Sequence, residues 1–166
     1  QGTTGIFINE VPLTDPALSI GTPDIDTFDV DNVAILRGPQ GTLFGSSSLG
    51  GAVSYQAAKP DLSKWQSHIQ TTLESSHDGE IGGAGKIMVN TPLVKDKLAI
   101  RGVFVYRQDG GYIDNVGTGE DNSNRTVTQG GRILLTWKPT ASTAFNYLYL
   151  EQQQDTDDAG YQESGL

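Results

Sequence analysis

Beyond residue 65 the chain alternates between apolar and polar positions. Ile69, Thr71 and Leu73 fall on one side of an extended backbone, with His68, Gln70, Thr72 and Glu74 on the other. The same period of two sets Ile81, Ile87 and Val89 against Glu80, Lys86 and Asn90. It sets Leu98, Ile100, Phe104 and Tyr106 against Lys97, Arg101 and Arg107, and Ile133, Leu135 and Trp137 against Arg132, Thr136 and Lys138. Successive side chains of a strand point to opposite faces, so the pattern predicts four strands with one apolar face each. A fifth, Thr143 to Gln154, alternates Phe145, Tyr147 and Tyr149 with Asn146, Leu148 and Leu150, and its facing stays open. Before residue 60 the pattern is shorter and denser. Ile6–Ile8, stopped by Pro12, and Val33–Leu36 read as short buried strands, and Gly50–Tyr55 as another strand, ended by Lys59-Pro60. The Pro- and Asp-rich stretch from Asp15 to Asp31 has room for short helical turns.

Charge narrows what the alternation means. Glu74, Glu80, Lys86, Lys97, Arg101, Arg107, Arg132 and Lys138 fall on one side of their segments, and the other side of the first four segments carries no charge. An uncharged face on strands of about ten residues fits the lipid-facing wall of a transmembrane barrel. An antiparallel sheet with one face on a soluble core has the same period. Three features favour the membrane. The strands exceed the usual five or six residues, and Trp65, Tyr106, Tyr112 and Trp137 lie near strand ends, where interfacial aromatics sit. The connections Pro92–Asp96 and Pro139–Ser142 are short, whereas Gly110–Val127 is long and polar.

Composition removes several function classes. The net charge of −9 over 166 residues opposes a nucleic-acid partner. No apolar run is long enough for a membrane helix, which leaves a barrel open. The absence of cysteine excludes disulfides, thiol catalysis and zinc–thiolate sites. Glycine, 21 residues, is about twice its usual share, as in β-rich, turn-rich chains. The acidity lies before Pro60 and after Gly110, with a balanced middle. Gln1–Gly5 carries no leader pattern and Asp155–Leu166 no closing element, so both ends read as interior to a longer protein.

Asp29 to Val53 runs D-V-D-N-V-A-I-L-R-G-P-Q-G-T-L-F-G-S-S-S-L-G-G-A-V. It resembles the plug-domain pattern of TonB-dependent outer-membrane receptors, E-x-L-R-G-P-Q-G-T-L-Y-G-S-x-x-x-G-G, almost position for position. Upstream, Gly5 to Pro12 resembles the plug strand Y-I-D-x-V-P. Downstream, Leu93–Arg101 and Asp109–Asn115 resemble the first barrel hairpins. The departures are Asn9 for Asp, Ala34 for Glu and Phe44 for Tyr. The resemblance implies a mostly β fold: residues 1–60 as the C-terminal half of a plug, and 61–166 as about the first five antiparallel strands of a barrel that closes with about 22. It implies active import of a scarce solute, above all a ferric siderophore, across the outer membrane of a Gram-negative bacterium, without enzymatic chemistry, cofactor or metal. The implied partners are the TonB–ExbB–ExbD complex, reached through an N-terminal segment outside this chain, the iron chelate or another large solute, and outer-membrane lipid. A soluble carbohydrate-type binding module, and a receptor of the same family for oligosaccharide or cobalamin, are the alternatives.

The motif has its own physical reading. Arg37, Gly38, Pro39, Gln40, Gly41, Gly45, Gly50 and Gly51 force tight turns, which glycine allows without a side-chain clash. Arg37, confined within a barrel, needs a partner. The resemblance implies an acid on the barrel wall that locks the plug; a nearby Asp29 or Asp31 is the plainer choice. Gly38–Gly51 lacks the G-K-[ST] of a phosphate loop. Ser46–Ser48 lacks the context of a nucleophile elbow, since Leu49 stands where the last glycine is needed. Asp24, Asp26, Asp29 and Asp31 read as turn acids before a calcium ladder, and Asp155, Asp157 and Asp158 as the foot of an external loop. Glu74, Lys86, Arg101, Arg107 and Arg132 are expected to face the lumen, lining the plug or steering a solute, with Val103, Val105 and Leu134 beside them. Plug apices and the Gly110–Val127 loop are the expected solute contacts.

Overall fold

The two regimes of the sequence fold as two β units, Gln1–Lys59 and Pro60–Leu166. The computed structural model describes residues 4–13, 25–41, 48–75, 80–114, 119 and 123–157.

In the first unit four strands stand in the order β2-β1-β4-β3. Strand β1 (Thr4–Ile8) is interior, and Ile6, Phe7 and Ile8 are all buried. A run buried without alternation suits a strand covered on both faces, and β1 pairs in parallel with β4 (Gly51–Ala57), Ile6 opposite Val53. Pro12 does not stop the element. Asn9 and Glu10 take positive φ, 46° and 71°, and turn the chain so that β2 (Val11–Pro12) pairs back on Ile8 and Phe7. Such a turn needs two left-handed residues, and Pro12 is tolerated because β2 is an edge. The Asn9 side chain holds the turn to β4, its Oδ1 accepting from Ala57 N at 2.9 Å.

Strand β3 (Val30–Arg37) is present but not buried as expected: Ile35 is 71% exposed and Val33 41%. It pairs only with β4 and forms the sheet edge. A short apolar run does not reveal which position in a sheet it will take. The helical turns expected after Asp15 fall mostly on residues 14–24, outside the described residues.

The second unit is an antiparallel meander of β5 (Gln66–Ser75), β6 (Ile81–Val94), β7 (Leu98–Asp109), β8 (Thr126–Thr140) and β9 (Thr143–Thr156). The register fixes the facing of every strand. Ile69, Ile87, Phe104 and Gly131 form one row, and Ile100, Leu135 and Tyr147 another, on a face without charge from β5 to β8. That face leaves Leu73, Ile81 and Ile69 about 70–90% exposed, far more apolar surface than a water-facing sheet ordinarily shows. The opposite face holds the charges beside buried Met88, Val103, Val105 and Leu134. Residues 95–97 and 141–142 make the turns at one end, where Trp65 and Trp137 lie; Tyr106 and Tyr112 lie toward the other.

The register also decides β9. Phe145, Tyr147 and Tyr149 lie opposite Trp137, Leu135 and Ile133 on the uncharged face, and the Phe145 and Trp137 rings stack at 5.5 Å. Asn146, Leu148 and Leu150 share the other face, where Asn146 Oδ1 accepts from Thr136 Oγ1 at 2.9 Å. Three of the expected charges leave the strand column: Glu80 precedes β6, Lys97 sits in the β6–β7 turn, and Lys138 falls in the irregular register after Trp137.

Candidate functional site

In the first unit the motif forms the connection between β3 and β4, whose last pair is Arg37 opposite Gly51. Gly38 (φ +82°) turns the chain out of β3, and Gly51 (φ +151°) receives it. Gln40 N donates to Ser48 O at 2.8 Å and closes the base of the connection. Gln40 Nε2 reaches Arg37 O only weakly, at 3.5 Å. Ser48 is fully buried. Pro39 and Gly41 lie between these contacts, Gly50 precedes β4, and Gly41 shows neither positive φ nor crowding by the described residues. Gly45 lies outside the described residues. Arg37 is exposed. It stands about 20 Å along β3 from Asp31 at ~3.3 Å per residue, so the nearby-acid pairing with Asp29 or Asp31 is out of reach. Asp26 caps its own turn, Oδ1 accepting from Phe28 N at 2.7 Å, as a turn acid does. Among the described residues no group of three or more His, Asp or Glu could hold a metal ion.

In the second unit Glu74, Lys86, Arg101, Arg107 and Arg132 share the charged face. Arg101 and Arg132 are 7% and 5% exposed, so their guanidinium groups need partners. Arg101 Nη1 donates to Gln66 Oε1 at 3.1 Å. Arg107 Nε pairs with Asp109 Oδ2 at 3.0 Å, a half-exposed contact worth at most about 1 kcal/mol. Glu74 is exposed and Lys86 half-buried. A cavity of about 370 Å³ opens over Gly131, between Phe104, Ile133 and Tyr149. Gln129, Glu151 and Gln153 line it on the same face, Glu151 opposite Gly131.

The Gly110–Val127 connection is anchored at its base. Asn124 Oδ1 accepts from Tyr112 N at 2.7 Å and Ile113 N at 2.8 Å, and Ser123 N donates to Ile113 O at 2.7 Å. Beside it, Arg125 Nε meets Asp157 Oδ2 at 3.4 Å, while Asp158 lies outside the described residues.

Sequence reasoning overlooked the segment that leads into β5. Asp61 Oδ1 accepts from Ser63 N (2.8 Å), Ser63 Oγ (2.7 Å) and Lys64 N (3.2 Å). The Ser63 hydroxyl first, and its backbone N–H next, hold the Asp61 carboxyl below the usual carboxylate range. A carboxyl with a folded pKa below its unfolded value of about 3.9 stabilises the fold above that pH, and the contribution disappears as pH falls through the lowered pKa. Hydrogen-exchange protection at Ser63 and Lys64 is therefore expected to fall in acid below about pH 4, whereas Asp61→Asn, which keeps an acceptor but cannot titrate, should show no such step. Equal pH profiles for the two proteins would refute the assignment.

Comparison with known proteins places these features. Residues 1–52 match the family model described as TonB-dependent Receptor Plug Domain. The pesticin receptor of Yersinia enterocolitica is 35% identical over 125 residues, covering 75% of this chain and 18% of that receptor. The chain thus spans less than a fifth of the curated relatives it matches. Among solved structures, the ferric yersiniabactin uptake receptor FyuA from Yersinia pestis superposes with a TM-score of 0.78 at 24% identity, over 93% of this chain and 23% of that one. The siderophore receptor PirA from Acinetobacter baumannii gives 0.73 at 20% identity, over 93% and 24%. Residues 1–52 thus carry the plug domain of TonB-dependent receptors, and the second unit, a meander of long strands with one uncharged face, shares the fold of the solved receptors on which the chain superposes.

Proposed function

We propose that the protein containing this chain imports a ferric siderophore across the outer membrane under the control of TonB. The observation that carries this reading is the 35% identity to a pesticin receptor over 125 residues, 75% of this chain. In this reading residues 1–60 form the C-terminal half of the plug, and 61–166 the first five strands of the barrel wall. Glu74, Lys86, Arg101, Arg107 and Arg132 face the lumen, and the row from Ile69 through Phe104 faces lipid. Arg37, exposed at the end of β3, pairs with an acid of the wall and holds the plug until the TonB–ExbB–ExbD complex supplies energy. The work is binding and movement of an intact chelate, with no bond of the cargo made or broken.

The test uses the full-length receptor in a strain lacking its own siderophore uptake. Ferric yersiniabactin labelled with radioactive iron is expected to accumulate only when TonB is present. TonB-dependent accumulation of cobalamin or an oligosaccharide, with none of the iron chelate, would transfer the reading to another cargo. Arg37→Glu is expected to weaken the lock and change the uptake rate while the barrel still assembles; uptake equal to wild type would rule the lock out.

A further inference from the structure

The chain enters the β5–β9 sheet through residues 60–65, and this crossover is fastened to the sheet by one side chain. Asn90, on the charged face of β6, is fully buried. Its Oδ1 accepts from Asp61 N at 2.9 Å, and its Nδ2 donates to Asp61 O at 3.0 Å and to Lys64 O at 2.7 Å. The carboxamide has two donors and one carbonyl oxygen, and every one of these groups is used on the same short segment. A second tie runs from the β6–β7 turn, where Asp96 N donates to Leu62 O at 2.9 Å. A third continues into the wall, with Gln66 Oε1 accepting from Arg101 Nη1 at 3.1 Å. Within the segment, Asp61 fixes the turn at Ser63 and Lys64 that presents both carbonyls to Asn90.

We propose that Asn90 is a positioning residue for transport, clamping the crossover to the short-turn end of the sheet throughout the cycle. Asparagine is disfavoured in strands, and here its burial is matched by backbone groups of the crossover that would otherwise be solvated. With the crossover held, the first unit is fixed at its C-terminal end, and any rearrangement that TonB drives is confined to residues before Pro60. The plug then works as a tethered element that remodels about a fixed end, and does not leave as a free body. The functional consequence rests on the transport reading; the clamp itself rests on geometry.

Hydrogen exchange on the full-length receptor in bilayers tests it, first alone and then with ferric yersiniabactin and the periplasmic domain of TonB. In the wild type the amides of Asp61, Lys64 and Asp96 are expected to stay protected in both states, while amides before Pro60 exchange faster in the second. Asn90→Leu keeps the branching and heavy-atom count of the side chain and removes every hydrogen bond it makes. It is expected to speed exchange at Asp61 and lower import roughly tenfold, with chelate affinity unchanged, as for a residue that governs a moving part. Loss of protection at Asp61 and Lys64 in the coupled wild type would overturn the proposal without any variant. So would a folded Asn90→Leu receptor that imports at the wild-type rate. A wild type that accumulates no ferric siderophore would sink the transport reading instead, and exchange with the TonB domain alone would still decide the clamp.

Discussion

Gly51→Ala is expected to unfold the first unit while leaving the β5–β9 wall intact. A Cβ at position 51 would stand 2.6 Å from Leu36 O, a backbone atom held in the β3–β4 ladder, at a φ of +151° that side chains rarely adopt. Backbone strain of about 1–3 kcal/mol adds to overpacking of about 1–3 kcal/mol, because the carbonyl cannot retreat without breaking its own pairing. The sum is a large share of the roughly 5–15 kcal/mol that stabilises a whole domain. Gly41→Ala is the matched control. Among the described residues nothing lies within 4 Å of its added Cβ and its φ is ordinary, so its effect should stay within about 0.5 kcal/mol. Gly38→Ala falls between the two, with open space but a φ of +82°. Limited proteolysis of the full-length receptor checks the order. Cleavage within residues 1–59 should rise steeply in Gly51→Ala, moderately in Gly38→Ala and not at all in Gly41→Ala. Equal cleavage in all three would mean that the motif glycines are not there for backbone geometry.

That gradation was not legible in the sequence, where the motif glycines carry the same letter. What separates Gly51 from Gly41 is the carbonyl of Leu36 across the ladder, a contact that pairing alone creates. The wall was legible because its cause is local: alternation along one strand states which side chains share a face, whatever the partner strand is. β9 marks the limit of that rule. Leu148 and Leu150 are as apolar as Tyr147 and Tyr149, and only the register opposite Trp137 and Ile133 tells the faces apart. β3 marks another limit, since Val33 and Ile35 read as core until the sheet order puts them on an edge. Arg101 was picked out by its charge and Asn90 only as one polar position among several. The ties that matter for both come from the crossover, which has no periodic pattern to announce it, and from Gln66 at the very start of β5.

Ile87→Arg separates a membrane wall from a soluble sheet most directly. Ile87 lies near the middle of β6 on the uncharged face, between Ile69 and Phe104, and is 40% exposed. If lipid covers that face, an arginine there sits near the bilayer midplane and costs about 2–4 kcal/mol. If water covers it, the same change is nearly neutral, within about 0.5 kcal/mol, as surface substitutions are. The companion variant Gln70→Arg adds the same side chain on the other face of the neighbouring strand, opposite Lys86. In the barrel reading that position faces the lumen, so assembly should survive. Urea titration of the full-length receptor folded into lipid vesicles measures both. The expected result is a strong loss for Ile87→Arg and little change for Gln70→Arg. The reverse order would put water on the uncharged row and a packed interior on the face of Gln70, and equal, small effects would mean that no lipid covers either face. Because each variant adds one arginine to adjoining strands, the change in net charge is common to both, and the difference reports the side chain lost and the medium on each side of the wall.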